Sequence, residues 1–390
     1  MVYSASSPLG VINGGGYGTG EFFMYLFAAA LGLVALRLGE QFGLRLLTPE
    51  LVRMLLLGST LLLLAVLVPG IGRNVNGARR WFAAGPIQFQ PSELTKLALV
   101  LYVARYLADK PRRLQSGFKQ ALAPIAVAVG PACLLIAIEP DLGTTLVCVL
   151  TLIALLVVAG VPGSYLTRIA LILVGGLGLM ILVHPYEAAR LTSFLHPFAQ
   201  RSGPGWQSAQ SQMAIGSGGL SGVGLGQSIG KAMWLPEAQS DFILAVVGEE
   251  LGLAGILVVI SLYGLIAYAG MRTARRAATR YTKLLASGLT SLILCQGILN
   301  IFVVLGIAPL TGVPLPFISY APTNLLVMLT SVGLLLGIAR PAARELRLVD
   351  GNEEPKRSGA ARERAIDPDR DRRYRGSRGA GAGRRRAAES

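Results

Sequence analysis

The chain has 390 residues, of which 53% are hydrophobic and only 15% charged, with a mean hydropathy of +0.57. A soluble domain carries nearer a quarter charged residues, so this composition excludes an ordinary soluble enzyme and describes a polytopic membrane protein. The net charge of +15 does not imply nucleic-acid binding, because Lys and Arg are spread through short loops and the tail, where membrane topology and anionic lipid account for them.

Residues 1–19 are small, glycine-rich and uncharged, without the basic-then-apolar order of a signal peptide. Apolar runs long enough to cross a bilayer, roughly 17–25 residues, then fall near 20–37, 51–69, 92–108, 119–138, 143–161, 166–184, 242–270, 284–308 and 324–341. The expected fold is therefore all-α, with about nine transmembrane helices over 20–342, a large outward loop at 185–240 and a disordered basic tail at 343–390.

Basic residues orient the spans. Arg37 and Arg45, then Lys110, Arg112, Arg113 and Lys119, then Arg168, then Arg272, Arg275, Arg276 and Arg280 mark alternate connections, on the same side as the tail. That side is cytoplasmic. One outward connection, 70–91, breaks the pattern by carrying Arg73, Arg79 and Arg80, which suggests that it binds an anion. Cys133, Cys148 and Cys295 lie inside apolar runs and form no CxxC pair, and His184 and His196 are isolated, so neither type suggests a metal cluster.

Several polar residues stand out against this apolar background, and each has two readings. Pro91-Ser92 starts a helix with Ser92 as N-cap, which puts Glu93 and Lys96 on one helix face as a structural ion pair or as the lining of a polar cavity. Arg79 and Arg80, followed by Trp81, either hold a phosphate or anchor at the headgroups. Asp141 is placed to cap the helix from Leu142.

The run GSGGLSGVGLG (216–226) lacks the GKS or GKT of a nucleotide loop, and its glycines instead allow close packing of helices or of a re-entrant segment. Asp241, beside Pro236-Glu237 at the outer end of an apolar helix, is either an N-cap or a general base in a half-buried place. Gln296 and Asn300, four apart, line a polar interior or hydrogen-bond across helices. The uncharged 308–320 run, which ends at Ser319-Tyr320, is a rigid cover or a re-entrant turn. These residues alone leave a transporter and a membrane-embedded transferase equally open.

The order of the motifs resembles the SEDS (shape, elongation, division and sporulation) family. NGARRW with FQPSELTKLALVLY, EPDLGTT, RLTSFLHPF, AIGSGGLSGVGLG, LPEAQSDFILAVVGEELGLAG and the PLTGVPLPFIS run follow the family's sequence, from MVYSASS to about Arg340. The wording is nearest to its FtsW-type members. The resemblance implies a peptidoglycan glycosyltransferase in cell division or cell-shape maintenance. Such an enzyme polymerises lipid II on the outer face of the bacterial cytoplasmic membrane. It works with a class B penicillin-binding protein and other divisome or elongasome membrane proteins, and with no nucleic acid.

The family's essential aspartate falls on Asp241, with Ser240 where threonine is usual. Arg79, Arg80, Glu93, Lys96, Arg190 and Glu237 then serve substrate binding, with or without a divalent cation, magnesium or manganese. Asp141, Gln296, Asn300 and Ser319 shape the cavity.

Three departures accompany the likeness. The chain opens where the first of ten helices would end, which implies either a longer product or an outward N-terminus. SYAPTN (319–324) replaces a turn with two glycines, which stiffens it. His196 stands where an aspartate is common. A lipid II flippase and an inactive scaffold for the transpeptidase are the alternative functions.

Overall fold

The computed structural model describes residues 17–75, 78–84, 87–115, 117–183, 193–195, 198, 204–228 and 239–352. The chain divides into two units, Met1–Ala342 and Ala343–Ser390, and the membrane helices belong to the first. In order the helices of the described residues are α1 (Tyr17–Leu46), α2 (Pro49–Leu67), α3 (Pro91–Asp109), α4 (Phe118–Ile138), α5 (Leu142–Ala159), α6 (Gly163–Val183), α7 (Pro204–Gly218), α8 (Ile243–Arg276), α9 (Arg280–Val304) and α10 (Pro322–Asn352).

Each of the nine expected spans coincides with one of these helices, and seven of them are long and apolar enough to cross a membrane. Of the two others, α3 carries Glu93, Lys96, Arg105 and Asp109, and α6 carries an apolar segment over Gly163–Gly176. The additional helix, α7, occupies part of the expected outward loop and packs along α8.

The connection at 70–91 is also more ordered than a loop. Strands β1 (Arg73–Val75), β2 (Ala78–Ala84) and β3 (Ile87–Phe89) form an antiparallel sheet in the order β1-β2-β3, with Asn74 opposite Arg79 and Phe82 opposite Phe89.

Polarity decides which helices lie innermost. Almost all of α3 is buried, packed against α2, α5 and α9, and α9 in turn packs against α8 and α5. These are the helices that carry Glu93, Lys96, Gln296 and Asn300, side chains that lipid cannot satisfy and protein can. Helices facing outward instead expose stripes such as Phe23, Phe27, Leu31, Val34, Leu38 and Phe42 of α1. The first and last spans meet through small residues: Gly39 lies against Gly333, and Gly43 against Leu334.

The helix α8 is broken. Gly252 has φ 67° and ψ −161°, which no other residue type adopts readily, so Ile243 to Leu251 forms a separate short piece above the span. A break orphans carbonyls before it and N–H groups after it. The glycine-rich run supplies the missing partners. Val223 N donates to Glu249 O (3.0 Å) and Gly224 N to Glu250 O (3.1 Å), while Leu253 N donates to Gly219 O (3.0 Å) and Ala254 N to Leu220 O (3.3 Å). The glycines at 218 and 222 are there because backbone meets backbone: a side chain on either would collide with the main chain of residues 248–251. The expectation of close packing holds, and its content is a splint across a broken helix.

Candidate active site

The deepest polar group is built on α3. Pro91 occupies the first helical turn and the N-cap position falls on Gln90, not on Ser92 as expected. Ser92 is buried, and its Oγ has no partner among the described residues. The i,i+3 spacing brings Lys96 Nζ to 2.9 Å from Glu93 Oε2, with both side chains buried. Two amides complete the network: Lys96 Nζ donates to Gln296 Oε1 (2.6 Å) and Asn324 Nδ2 donates to Glu93 Oε2 (2.7 Å). The pair is thus satisfied from three helices, which buried charges require.

Above it lies the uncharged run that follows α9. Its path is re-entrant. Pro314 O accepts from Gln296 Nε2 at 2.9 Å, and Gln296 sits eight residues inside the end of α9 at Val304, a depth of about 12 Å at 1.5 Å per residue. Three more carbonyls of the run accept from side chains of the helices: Val313 O from Asn300 Nδ2 (2.7 Å), Pro316 O from Tyr263 of α8 (2.7 Å) and Phe317 O from Tyr25 of α1 (2.8 Å). Irregular backbone at such depth persists only when it is satisfied in this way. Phe317 is held at φ 69°, a conformation that costs a non-glycine residue energy and that its anchors maintain.

Asp241 is locked to this run. Tyr320 N donates to Gln239 O (2.8 Å), Ser319 Oγ to Ser240 O, and Asn300 Nδ2 to Asp241 O (2.8 Å). The N-cap position of α8 falls on Phe242, one residue after Asp241. Its half-buried carboxylate faces Gly312, where a Cβ would stand 3.5 Å from Oδ2. From the other side, Gly143 of α5 abuts Thr311 and Val313. The re-entrant run therefore lies between the EPDLG turn and Asp241.

Asp141 caps α5, accepting from Thr144 N (3.1 Å), and also accepts from Gln90 Nε2 (3.2 Å). Arg80 joins the sheet to the same turn: its Nε donates to Glu139 O (2.9 Å) and its Nη2 to Pro140 O. Arg79 Nη1 donates to Leu67 O (3.4 Å). Both arginines are half-buried and hold backbone, whatever else they bind.

Sequence reasoning missed Glu139, which is fully buried with neither carboxyl oxygen partnered among the described residues. Burial, aided by the charge of Asp141 and opposed by Arg80, pushes its carboxyl up to about 8. No local signal marks it, since a glutamate before Pro-Asp reads as an exposed turn. Arg190, Glu237 and His196 lie outside the described residues.

The SYAPTN turn is accommodated without glycine. Pro322 is the first residue of α10, where a missing N–H costs nothing, and neither Ala321 nor Pro322 has a positive φ. Thr323 Oγ1 bridges to β3, donating to Gln88 O (3.2 Å) and accepting from Gln90 N (3.3 Å).

A family model described as cell cycle protein, FtsW/RodA/SpoVE, matches residues 1–344. The chain belongs to this family. It is 40% identical over 318 residues to the probable peptidoglycan glycosyltransferase FtsW of Legionella pneumophila, covering 80% of this chain and 79% of that one. It is 41% identical over 279 residues to the stage V sporulation protein E of Bacillus subtilis, covering 72% and 76%.

Among solved structures, the FtsW/RodA/SpoVE fold is matched in a peptidoglycan synthase complex described for its coordination of polymerization and crosslinking. That match has a TM-score of 0.71 at 30% identity, over 87% of this chain and 96% of that one. The rod shape determining protein RodA of Thermus thermophilus matches with a TM-score of 0.61 at 29% identity, over 87% and 93%. As a member of this family with seven helices apolar enough to span, the protein is a multi-pass membrane protein.

Proposed function

We propose that the protein is a peptidoglycan glycosyltransferase that polymerises lipid II at the outer face of the bacterial cytoplasmic membrane, with Asp241 as its general base. The observation that carries the reading is the placement of Asp241: a half-buried carboxylate at the outer end of α8, facing Gly312, with the three successive carbonyls of 239–241 each held by a hydrogen bond. Relatives named peptidoglycan glycosyltransferase support the reaction class.

In the proposed step, the 4-hydroxyl of the acceptor sugar gives its proton to a carboxylate oxygen of Asp241 as its oxygen bonds to the donor's anomeric carbon. The bond from that carbon to the undecaprenyl pyrophosphate breaks, and the pyrophosphate leaves with the electron pair. A positioned base of this kind contributes roughly 10²–10⁴-fold. Arg79 and Arg80, on the outer sheet, or Arg190 would offer the leaving pyrophosphate guanidinium donors beyond those already used on carbonyls.

Among the described residues no three His, Cys, Asp or Glu side chains come together as a metal cage. A divalent cation, magnesium or manganese, would add to the stabilisation of the leaving pyrophosphate. The likeness to a synthase complex supports a class B penicillin-binding protein as partner.

The test is polymerisation of labelled lipid II by the purified protein with its partner. Asp241→Ala is expected to lose at least about 100-fold in rate while remaining folded. Undiminished glycan synthesis by that variant would remove Asp241 from the chemistry. Transbilayer movement of lipid II without glycan product would favour a flippase, and partner binding without either would favour a scaffold.

A further inference from the structure

Resting on the reading of Asp241 as the base, we propose that Asn300 is a positioning residue: its side-chain amide clamps the backbone of Asp241 to the re-entrant run and so sets where the carboxylate points.

Asn300 lies within α9, one turn below its outer end, and is buried. Its Nδ2 donates to two carbonyls at once, Asp241 O at 2.8 Å and Val313 O at 2.7 Å. Two carbonyl oxygens held side by side repel each other, and a shared donor offsets that repulsion. A primary amide nitrogen carries two hydrogens in a fixed plane, and here each hydrogen has one acceptor. The two acceptors also fix which end of the amide is nitrogen.

The consequence for the site is geometric. Val313 follows Gly312, the residue against which Asp241 Oδ2 rests. Fixing the carbonyl of Asp241 relative to that of Val313 therefore fixes the base relative to the wall it faces. The amide Oδ1 of Asn300 is buried with no partner among the described residues. The side chain's hydrogen bonding thus resides in the donor pair, and a change that removes the donors while keeping the shape isolates the clamp. With α9 rigid and packed on α3 and α5, the clamp refers Asp241 to the centre of the bundle rather than to the loop that precedes it.

Asn300→Asp keeps the shape and removes both donors. Its polymerisation kinetics with labelled lipid II are expected to show kcat lower by about 10–100-fold, as a shift of order 1 Å in a reacting group produces, with KM within about threefold. Tyr263→Phe removes a different anchor of the same run, the bond to Pro316 O. It is expected to leave kcat within about threefold. Asn300→Gln keeps the donors but displaces them by one methylene, and serves if Asn300→Asp does not fold; kcat should again fall with KM held.

A wild-type kcat in either folded Asn300 variant overturns the proposal, as does an equal loss in Tyr263→Phe, which would mean general support of the run. A rise in KM at constant kcat would make Asn300 a substrate contact instead. If Asp241→Ala itself polymerises normally, the functional reading has failed. If it is inactive and Asn300→Asp is not impaired, only the clamp has failed.

Discussion

Arg80 and Glu139 are neighbours bonded through the wrong atoms for an ion pair. The guanidinium Nε donates to the backbone carbonyl of Glu139 at 2.9 Å, while both carboxyl oxygens stay buried and unpartnered among the described residues. Burial outweighs the nearby positive charge, and the carboxyl is pushed up to about 8 from an ordinary 4.5. Between those two values the folded protein keeps a proton that the unfolded chain has released. The stabilisation that goes with the bound proton is complete below about 4.5 and is lost as pH rises through about 8.

Glu139→Gln carries no such proton. Thermal unfolding in detergent across that window should show wild type losing stability relative to Glu139→Gln as pH rises, at a limiting slope of about 1.4 kcal/mol per pH unit. Parallel pH profiles would mean that the carboxyl is hydrated or paired.

The splint over the α8 break makes a steric prediction. A Cβ on Gly252 would come within 2.5 Å of Gly222 N and 2.6 Å of Leu220 O, at a φ of +67°. Gly252→Ala should therefore unfold or fail to accumulate. Gly264→Ala, on the same helix with nothing within 4 Å, should be neutral or stabilise by up to about 1 kcal/mol. Yield and melting temperature compare the two directly.

The buried pair on α3 predicts asymmetric costs. Lys96→Met leaves the Glu93 carboxylate buried with only Asn324 as a donor, and should destabilise by about 3–5 kcal/mol. Adding Glu93→Gln removes the stranded charge and should recover most of that loss. Chemical denaturation of the two single variants and the double variant measures the coupling. Activity need not return with stability, since the pair also shapes the polar floor.

Asp141 separates a cap from a chemical role. It accepts from Thr144 N at 3.1 Å and from Gln90 Nε2 at 3.2 Å. Asn retains a capping oxygen and Ala does not. Asp141→Ala should cost about 1 kcal/mol and Asp141→Asn much less. Equal loss of polymerisation by both, with stability kept in the Asn variant, would point to a need for the charge.

Much of this arrangement was legible before folding was considered. The nine helices follow from apolar run length. The Glu93–Lys96 contact follows from i,i+3 spacing. The Asp141 cap follows from its place before Leu142. Each of these rests on chemistry confined to a turn or a span of one helix.

Where local chemistry fell short, the reasons were of different kinds. Ser92 reads as an N-cap because serine is one, but Pro91 sets the first turn and the cap position moves to Gln90. The backbone partners of Arg79 and Arg80, the carbonyls of Leu67, Glu139 and Pro140, come from other elements and have no local signal. The stretch around Arg79 reads as a loop because two of its strands are three residues long, too short for an alternating pattern.

The sequence by itself determined that this is a bundle of membrane helices with a few charged and amide residues inside it, because bilayer thickness and the cost of buried charge act on composition and spacing alone. Only the tertiary structure decided what Asp241 faces. Gly312, Asn300 and Ser319 reach it from two later elements, and the glycine run meets α8 across its break through backbone bonds that carry no side-chain signature. Backbone carbonyls are identical at every residue. Which donor satisfies each one is settled when the helices pack.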